Sequence, residues 1–285
     1  NNKIESYFII SLFIIFVMLI VYFICLYFEL GSFSIIIAML FAFISAFVSY
    51  YSCDTLVLNI NGARPATEEQ DKLLSTILDN LCIASGLPRP KLYVINDPSP
   101  NAFATGRNPN NAFICVTTGL LEKMNKYELE GVIAHELSHI KNYDILLSTI
   151  VSVFVGFVVI ISDFIFRFGF VRNRNSDNKS NPIIMIIGLI FLLLSPLFAT
   201  LMQLALSRKR EFLADSSAVE ITRNPEGLIS ALKKLSDDPT KSSAANKATA
   251  HMYIVNPLKG EKEKTNIFST HPPISERIKR LEHIN

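Results

Sequence analysis

Charge is scarce in this chain and paired cysteines are missing. Of 285 residues, 18% are charged and 50% hydrophobic, with a mean hydropathy of +0.34. Soluble domains usually carry about 25% charge. The net charge of +2 is too small to point to nucleic-acid binding. Composition also excludes disorder, collagen and a disulfide scaffold. The four cysteines, Cys25, Cys53, Cys82 and Cys115, have no C-x-x-C spacing, so free and mostly buried thiols are expected. They give no sign of an oxidising compartment. There is no internal repeat. A cleavable signal peptide is not expected either, because the first apolar run is too long and no small-residue cleavage site follows it. The first residue is Asn rather than Met, so a trimmed chain is expected.

What is present is apolar sequence in blocks. Tyr7 to Phe28 holds one markedly polar residue, Ser11. At 1.5 Å per residue this run reaches about 33 Å, the thickness of a bilayer core. Three more runs follow: Phe33 to Tyr51, Ile145 to about Val171, and Ile183 to Leu206. The third is less pure, with Asp163 and Arg167 spaced to pair on one helix face. Pro196 is expected to kink the fourth. Four segments result: an N-terminal transmembrane hairpin (1–51), a first water-soluble part (52–144), a second hairpin (145–206) and a second soluble part (207–285).

The first soluble part reads as a short strand over Leu56 to Ile60, a Gly/Pro turn, and a helix opened by the capping pair Thr67 and Gln70. That helix carries Leu73, Leu74, Ile77, Leu78 and Leu81 on one face and stops at Gly86. Lys91 to Ile95 and Phe113 to Thr117 read as strands, with an edge-strand candidate at Asn101 to Thr105 between them. Asn125 and Glu128 cap a second helix, expected to continue directly into the third apolar run. In the last segment one helix runs from Ser207 to about Thr222 and another from Pro225 to Leu235. Asp237 to Ala250 reads as a flexible surface loop. A final amphipathic helix carries Ile274, Ile278 and Leu281.

The feature that carries chemistry is His135-Glu136-Leu137-Ser138-His139. Positions i and i+4 share a helix face, so both imidazoles can reach one ion, and Glu136 is placed to hold a water on it. With five histidines and 15 glutamates in the chain, chance supplies only about 0.005 such motifs. A catalytic Zn²⁺ site needs a third protein ligand. The metzincin continuation is excluded, because its Gly and His places hold Asn142 and Ile145. Glu211 is the best candidate, with Asp215 one turn later to orient a ligand histidine. Topology is consistent with this. Runs three and four make two crossings, which returns Glu211 to the side of His139. Arg208, Lys209 and Arg210 then place that side in the cytoplasm, although Arg167, Arg172, Arg174 and Lys179 in the opposite connection argue against that orientation.

These residues resemble the HtpX family of membrane-embedded zinc metalloproteases, relatives of the CAAX prenyl proteases. The likeness covers nearly the whole chain from Gly62. It includes Asn101-Ala102-Phe103-Ala104-Thr105-Gly106, Val116-Thr117-Thr118-Gly119-Leu120-Leu121, the H-E-x-x-H, Ser207 through Asp215, and Thr270-His271-Pro272-Pro273 with Arg277 and Ile278. The resemblance implies a mainly α-helical integral membrane protein with about four transmembrane helices. It also implies an α+β, zincin-like protease domain with a small sheet at the membrane surface. The implied activity is that of an ATP-independent zinc endopeptidase of the bacterial inner membrane, its site facing the cytoplasm, acting on damaged or misassembled membrane proteins. It implies that Asn101, Ala102, Phe103 and Ala104 receive the substrate as an added strand. It further implies that His271 lies near the metal, as a transition-state donor or a blocker of the open position. His251 and His283 are read as surface or packing residues. Partners are protein substrates and the lipid bilayer, without nucleic acid, and nothing speaks to oligomeric state.

Two other readings start from the same motif. An intramembrane protease of the site-two type would bury it inside an apolar span, whereas Lys126, Glu128, Glu130, Lys141, Asn142 and Asp144 flank it here. A non-catalytic membrane scaffold would use a closed four-ligand site, often with cysteine.

Overall fold

The structure is a computed structural model, and it describes residues 31–150, 208–243, 249–257 and 271–284, with five isolated positions before residue 31. The first, third and fourth apolar runs lie outside these residues almost entirely, as do the Asp163/Arg167 pair and Pro196. Among the described residues no helix is long and apolar enough to cross a membrane.

Helix α1 (Ser32–Ile60) holds the second apolar run and continues past it. The strand expected over Leu56 to Ile60 is therefore helix. A stretch this short, four apolar residues and Asn59, fits either period, and here the preceding helix extends through it. The segment boundary placed after Tyr51 falls inside α1. After Gly62, whose φ of 62° lets the chain turn, comes the two-residue strand β1 (Arg64–Pro65).

Helix α2 (Glu68–Ser85) opens with the full capping box of Thr67 and Gln70 and ends at Gly86, with φ 70°. Its residues Leu74, Ile77, Leu78 and Leu81 are buried, as the periodicity predicts. Strands β2 (Lys91–Ile95), β3 (Ala102–Asn108) and β4 (Asn111–Thr117) follow. The sheet order is β1-β2-β4-β3. β3 and β4 form an antiparallel hairpin, and β4 lies parallel to β2. β3 is thus an edge strand, longer than the sequence suggested.

After the short helix α3 (Thr118–Lys123), helix α4 (Lys126–Lys141) carries the H-E-x-x-H. Asn125 and Glu128 cap it reciprocally. Lys234 and Ser230 also bind the Glu128 carboxylate, at 2.8 and 2.6 Å. Val132, Ile133, Leu137 and Ile140 of α4 enter the main core beside Leu78, Ile114 and Leu232.

The C-terminal elements clasp α4. They are α5 (Arg208–Thr222), α6 (Pro225–Asp237) and α7 (Ile274–Leu281). Helices α4 and α6 cross at a pair of glycines. A Cβ on Gly131 would come within 2.7 Å of the Leu228 nitrogen, and one on Gly227 within 2.5 Å of the Tyr127 oxygen.

One expectation fails beside these helices. α4 does not run straight into the third apolar run. It stops at Asn142–Tyr143, where Tyr143 takes a left-handed φ of 62°, and the chain is helical again over 144–150. The stretch Asp237 to Ala250, expected as a flexible surface loop, has neither helix nor strand over 238–243 and is tied down at both described ends. Asp238 pairs with Lys123 at 2.7 Å, Ser242 donates to Asp97 at 2.6 Å, and Thr249 is fully buried.

Candidate metal centre

The two histidines of α4 face one another, as a one-turn spacing requires. Their Nε2 atoms are 3.2 Å apart. Glu211, near the start of α5, brings Oε1 to 3.5 Å from His139 Nε2 and Oε2 to 3.8 Å from His135 Nε2. One ligand atom from each residue lies within 4.8 Å of the other two. Tetrahedral zinc with arms of about 2.0–2.1 Å separates its ligand atoms by about 3.3–3.4 Å. The observed spacings bracket that value, so these three side chains fit one such ion. Among the described residues the cluster contains no cysteine. Cys82 and Cys115 are free and buried.

Each ring is held from behind by a carboxylate. His135 Nδ1 lies 3.0 Å from Asp215 Oδ1, and His139 Nδ1 lies 3.0 Å from Asp144 Oδ2. A carboxylate on Nδ1 fixes the proton there and leaves Nε2 as a lone-pair donor. Sequence spacing pointed to Asp215. It did not point to Asp144, which reaches His139 across the break in the helix at Tyr143. Arg210 Nη1 approaches Asp144 from the other side at 3.9 Å.

Arg277, from α7, is completely buried. It grips Asp215 through two bonds of 2.6 and 2.9 Å, donates to the Ile254 carbonyl at 3.1 Å, and lies 3.5 Å from Glu211. In the sequence it stood only as part of the C-terminal motif, with no role. Its signal, a lone cation in the last helix, is too weak to single out. His271 Nδ1 lies 3.2 Å from Glu211 Oε2, at the centre as expected. His251, read as a surface or packing residue, is buried and lines the same cavity. His283 is exposed.

These contacts set the charges. Burial pushes the Glu136 carboxyl up, the Glu211 charge adds to this against the pull of His139, and the result is about 7. A backbone hydrogen bond from Ala104 of β3 also reaches Glu136. A carboxyl near neutrality can both take and return a proton. Burial opposes charge on His139, yet the Asp144 bond and the Glu211 charge outweigh it and raise the ring to about 9. Burial also works against the Glu211 carboxylate, but His271, His139 and Arg277 hold it well below the usual range. Asp215 is brought to about 2 in the same way, burial being overcome by Arg277 and His135.

The substrate positions expected at Asn101 to Ala104 lie at the start of β3, beside this centre. All four are buried. Ala104 lines the site cavity, while the Ala102 carbonyl already accepts the Ile254 N–H at 2.9 Å.

Comparison with known proteins agrees with this arrangement. The chain is 47% identical over 280 residues to a protease HtpX homolog of Dictyoglomus thermophilum, covering 98% of this chain and 91% of that protein. It is 42% identical to one of Caldanaerobacter subterraneus subsp. tengcongensis, covering 100% of this chain and 96% of that one. It is 46% identical to one of Listeria monocytogenes, covering 82% and 81%. The crystal structure of S. mikatae Ste24p shares the fold, with a TM-score of 0.54 at 19% identity over 99% of this chain and 67% of that one. A model of peptidase family M48 matches residues 68–285. That match takes in the H-E-x-x-H, Glu211 and Arg277 together, and the chain belongs to peptidase family M48, as a metallopeptidase.

Proposed function

We propose that the protein is a membrane-embedded zinc endopeptidase that cleaves damaged or misfolded proteins at the cytoplasmic face of a bacterial inner membrane. The observation that carries the catalytic reading is the fit of His135, His139 and Glu211 to one tetrahedral ion. These residues would hold Zn²⁺. Bound there, Zn²⁺ would bring the pKa of its water down to about 7 and would polarise the scissile carbonyl. Glu136 takes the proton of the attacking water and returns it to the leaving amine. Asp215 and Asp144 keep the two Nδ1–H groups turned away from the ion. His271 is placed to donate to the developing oxyanion. The substrate adds as an extended strand to the outer edge of β3 at Ala102 and Ala104, whose small side chains allow close approach.

The membrane reading rests on the four apolar runs and on one face of α1. Phe33, Ile36, Leu40, Phe43 and Phe47, three and four apart, are each more than half exposed. Such a stripe is uncommon on a water-facing helix. The arginines and lysine at 208–210 favour a cytoplasmic site. An intramembrane site fits less well, because α4 packs on a sheet and on α2 and α6 rather than within an apolar span.

The test is zinc-dependent turnover of casein by the purified protein. A chelator should abolish cleavage, Zn²⁺ should restore it, and Glu136→Gln should keep zinc while losing at least about 10²-fold in rate. Cleavage that survives chelation, or near-normal cleavage by Glu136→Gln, overturns the assignment.

A further inference from the structure

The metal centre is deeply set. His135 and Glu136 are 1% and 2% exposed, and the cavity beside them holds about 30 Å³. The chain segment 249–255 supplies His251, Met252, Tyr253 and Ile254 to its lining. The Thr117 N–H donates to the Asn101 carbonyl at 3.0 Å, so residues 101, 103 and 105 turn their backbone groups toward β4. Residues 102, 104 and 106 then face the open edge, by the alternation of antiparallel pairs.

That edge is already taken up. Ala102 accepts the Ile254 N–H, Ala104 reaches Glu136, and the Gly106 N–H lies 3.3 Å from Thr149 Oγ1. The Asn101 amide donates to the Val255 carbonyl at 2.7 Å and accepts from the Val255 N–H at 3.3 Å. Residue 254 therefore meets 102 and residue 255 meets 101, which is the antiparallel sense. Tyr253 continues the match by packing edge-on against Phe103 at 4.8 Å. The segment is latched from outside the sheet. Thr249 and Tyr253 both donate to Asn61 Oδ1 at the end of α1, at 2.7 and 3.0 Å. The His251 Nε2–H donates to the Ser148 carbonyl at 3.2 Å, in the helical stretch 144–150.

We infer that residues 249–255 form an internal pseudosubstrate strap, which occupies the place of the peptide on the β3 edge and keeps the enzyme latent until a substrate displaces it. The inference rests on the reading above that substrate adds to β3, and it extends that reading to regulation. Both latches end on helices that lead into apolar runs. A shift of α1 or of residues 144–150 therefore reaches the strap directly.

In a protein whose competent form is only partly populated, apparent affinity is reduced by that fraction. Weakening the latch should recover it. Tyr253→Phe removes one bond to Asn61 and keeps the ring on Phe103. A single hydrogen bond contributes a factor of about two to ten, so KM for casein should fall by that amount with kcat unchanged. Asn61→Ala loses both bonds and should lower KM further. A KM that is unchanged or raised in Tyr253→Phe overturns the strap. A second readout avoids turnover. In zinc-loaded Glu136→Gln, hydrogen exchange at the Ile254 amide should be slow in the free protein and at least about tenfold faster when saturated with casein. Unaltered protection in the complex also overturns the inference. Wild-type protein that cannot cleave casein with zinc restored would overturn the proteolytic reading itself, and the strap with it. That outcome is distinct from an active enzyme indifferent to its latch.

Discussion

Removing the Asp144 carboxylate should loosen the metal without unfolding the domain. Asp144 accepts the His139 Nδ1–H at 3.0 Å and is almost wholly buried. A hydrogen bond to a charged acceptor contributes about 1.5–3 kcal/mol, and each 1.4 kcal/mol is a factor of ten in affinity. Asp144→Ala should therefore weaken zinc binding by about 10- to 100-fold, the range found when ligand histidines lose their outer partners. Asp144→Asn still offers an oxygen to Nδ1 and should lie near the lower end. Competition with a chromophoric zinc chelator measures the constant, and elemental analysis gives the stoichiometry. Excess zinc should restore most of kcat in both variants, because Asp144 acts on the metal through the His139 ring. A zinc affinity within twofold of wild type for Asp144→Ala would refute the reasoning. So would zinc loss that is matched by unfolding of the metal-free protein.

Two further outcomes follow from the same network. Arg277→Met should destabilise the domain by about 3–5 kcal/mol, because it strands the buried Asp215 and Glu211 carboxylates. Chemical denaturation of the metal-free protein measures this, and a loss under about 1 kcal/mol would contradict it. Apparent zinc affinity should rise with pH from 6 to about 9. The ligand must be deprotonated, and His139 in the metal-free protein keeps its proton up to about 9. Below that value protons compete with the ion, by up to about tenfold per pH unit for one group. A zinc affinity independent of pH over this range would refute the Asp144–His139–Glu211 electrostatics.

Local signals were read well from the sequence where the chemistry is itself local. The two capping boxes, the Gly86 stop, the apolar face of α2 and the strands read at Lys91 to Ile95 and Phe113 to Thr117 each depend on residues within one turn or one pleat. Leu56 to Ile60 misled because five residues are too few to carry a period of their own, and the adjoining helix decided their state. The straight continuation of α4 misled because nothing in Asn142-Tyr143 announces a left-handed residue. Only packing after the turn rewards that strain.

The sequence by itself determined the kind of chemistry. Two histidines one helical turn apart, a glutamate between them, and a distant Glu-x-x-x-Asp point to a metal ion and to the residues that could hold it, because helix geometry converts spacing into direction. The tertiary structure alone decided which groups control those side chains. Asp144 supports His139 from beyond a break in the helix, and Arg277 arrives from the last helix to neutralise two buried carboxylates. Residues 249–255 lie along β3 through hydrogen bonds to positions about 150 residues away. Contacts made across such separations depend on how elements pack, and no local periodicity encodes them.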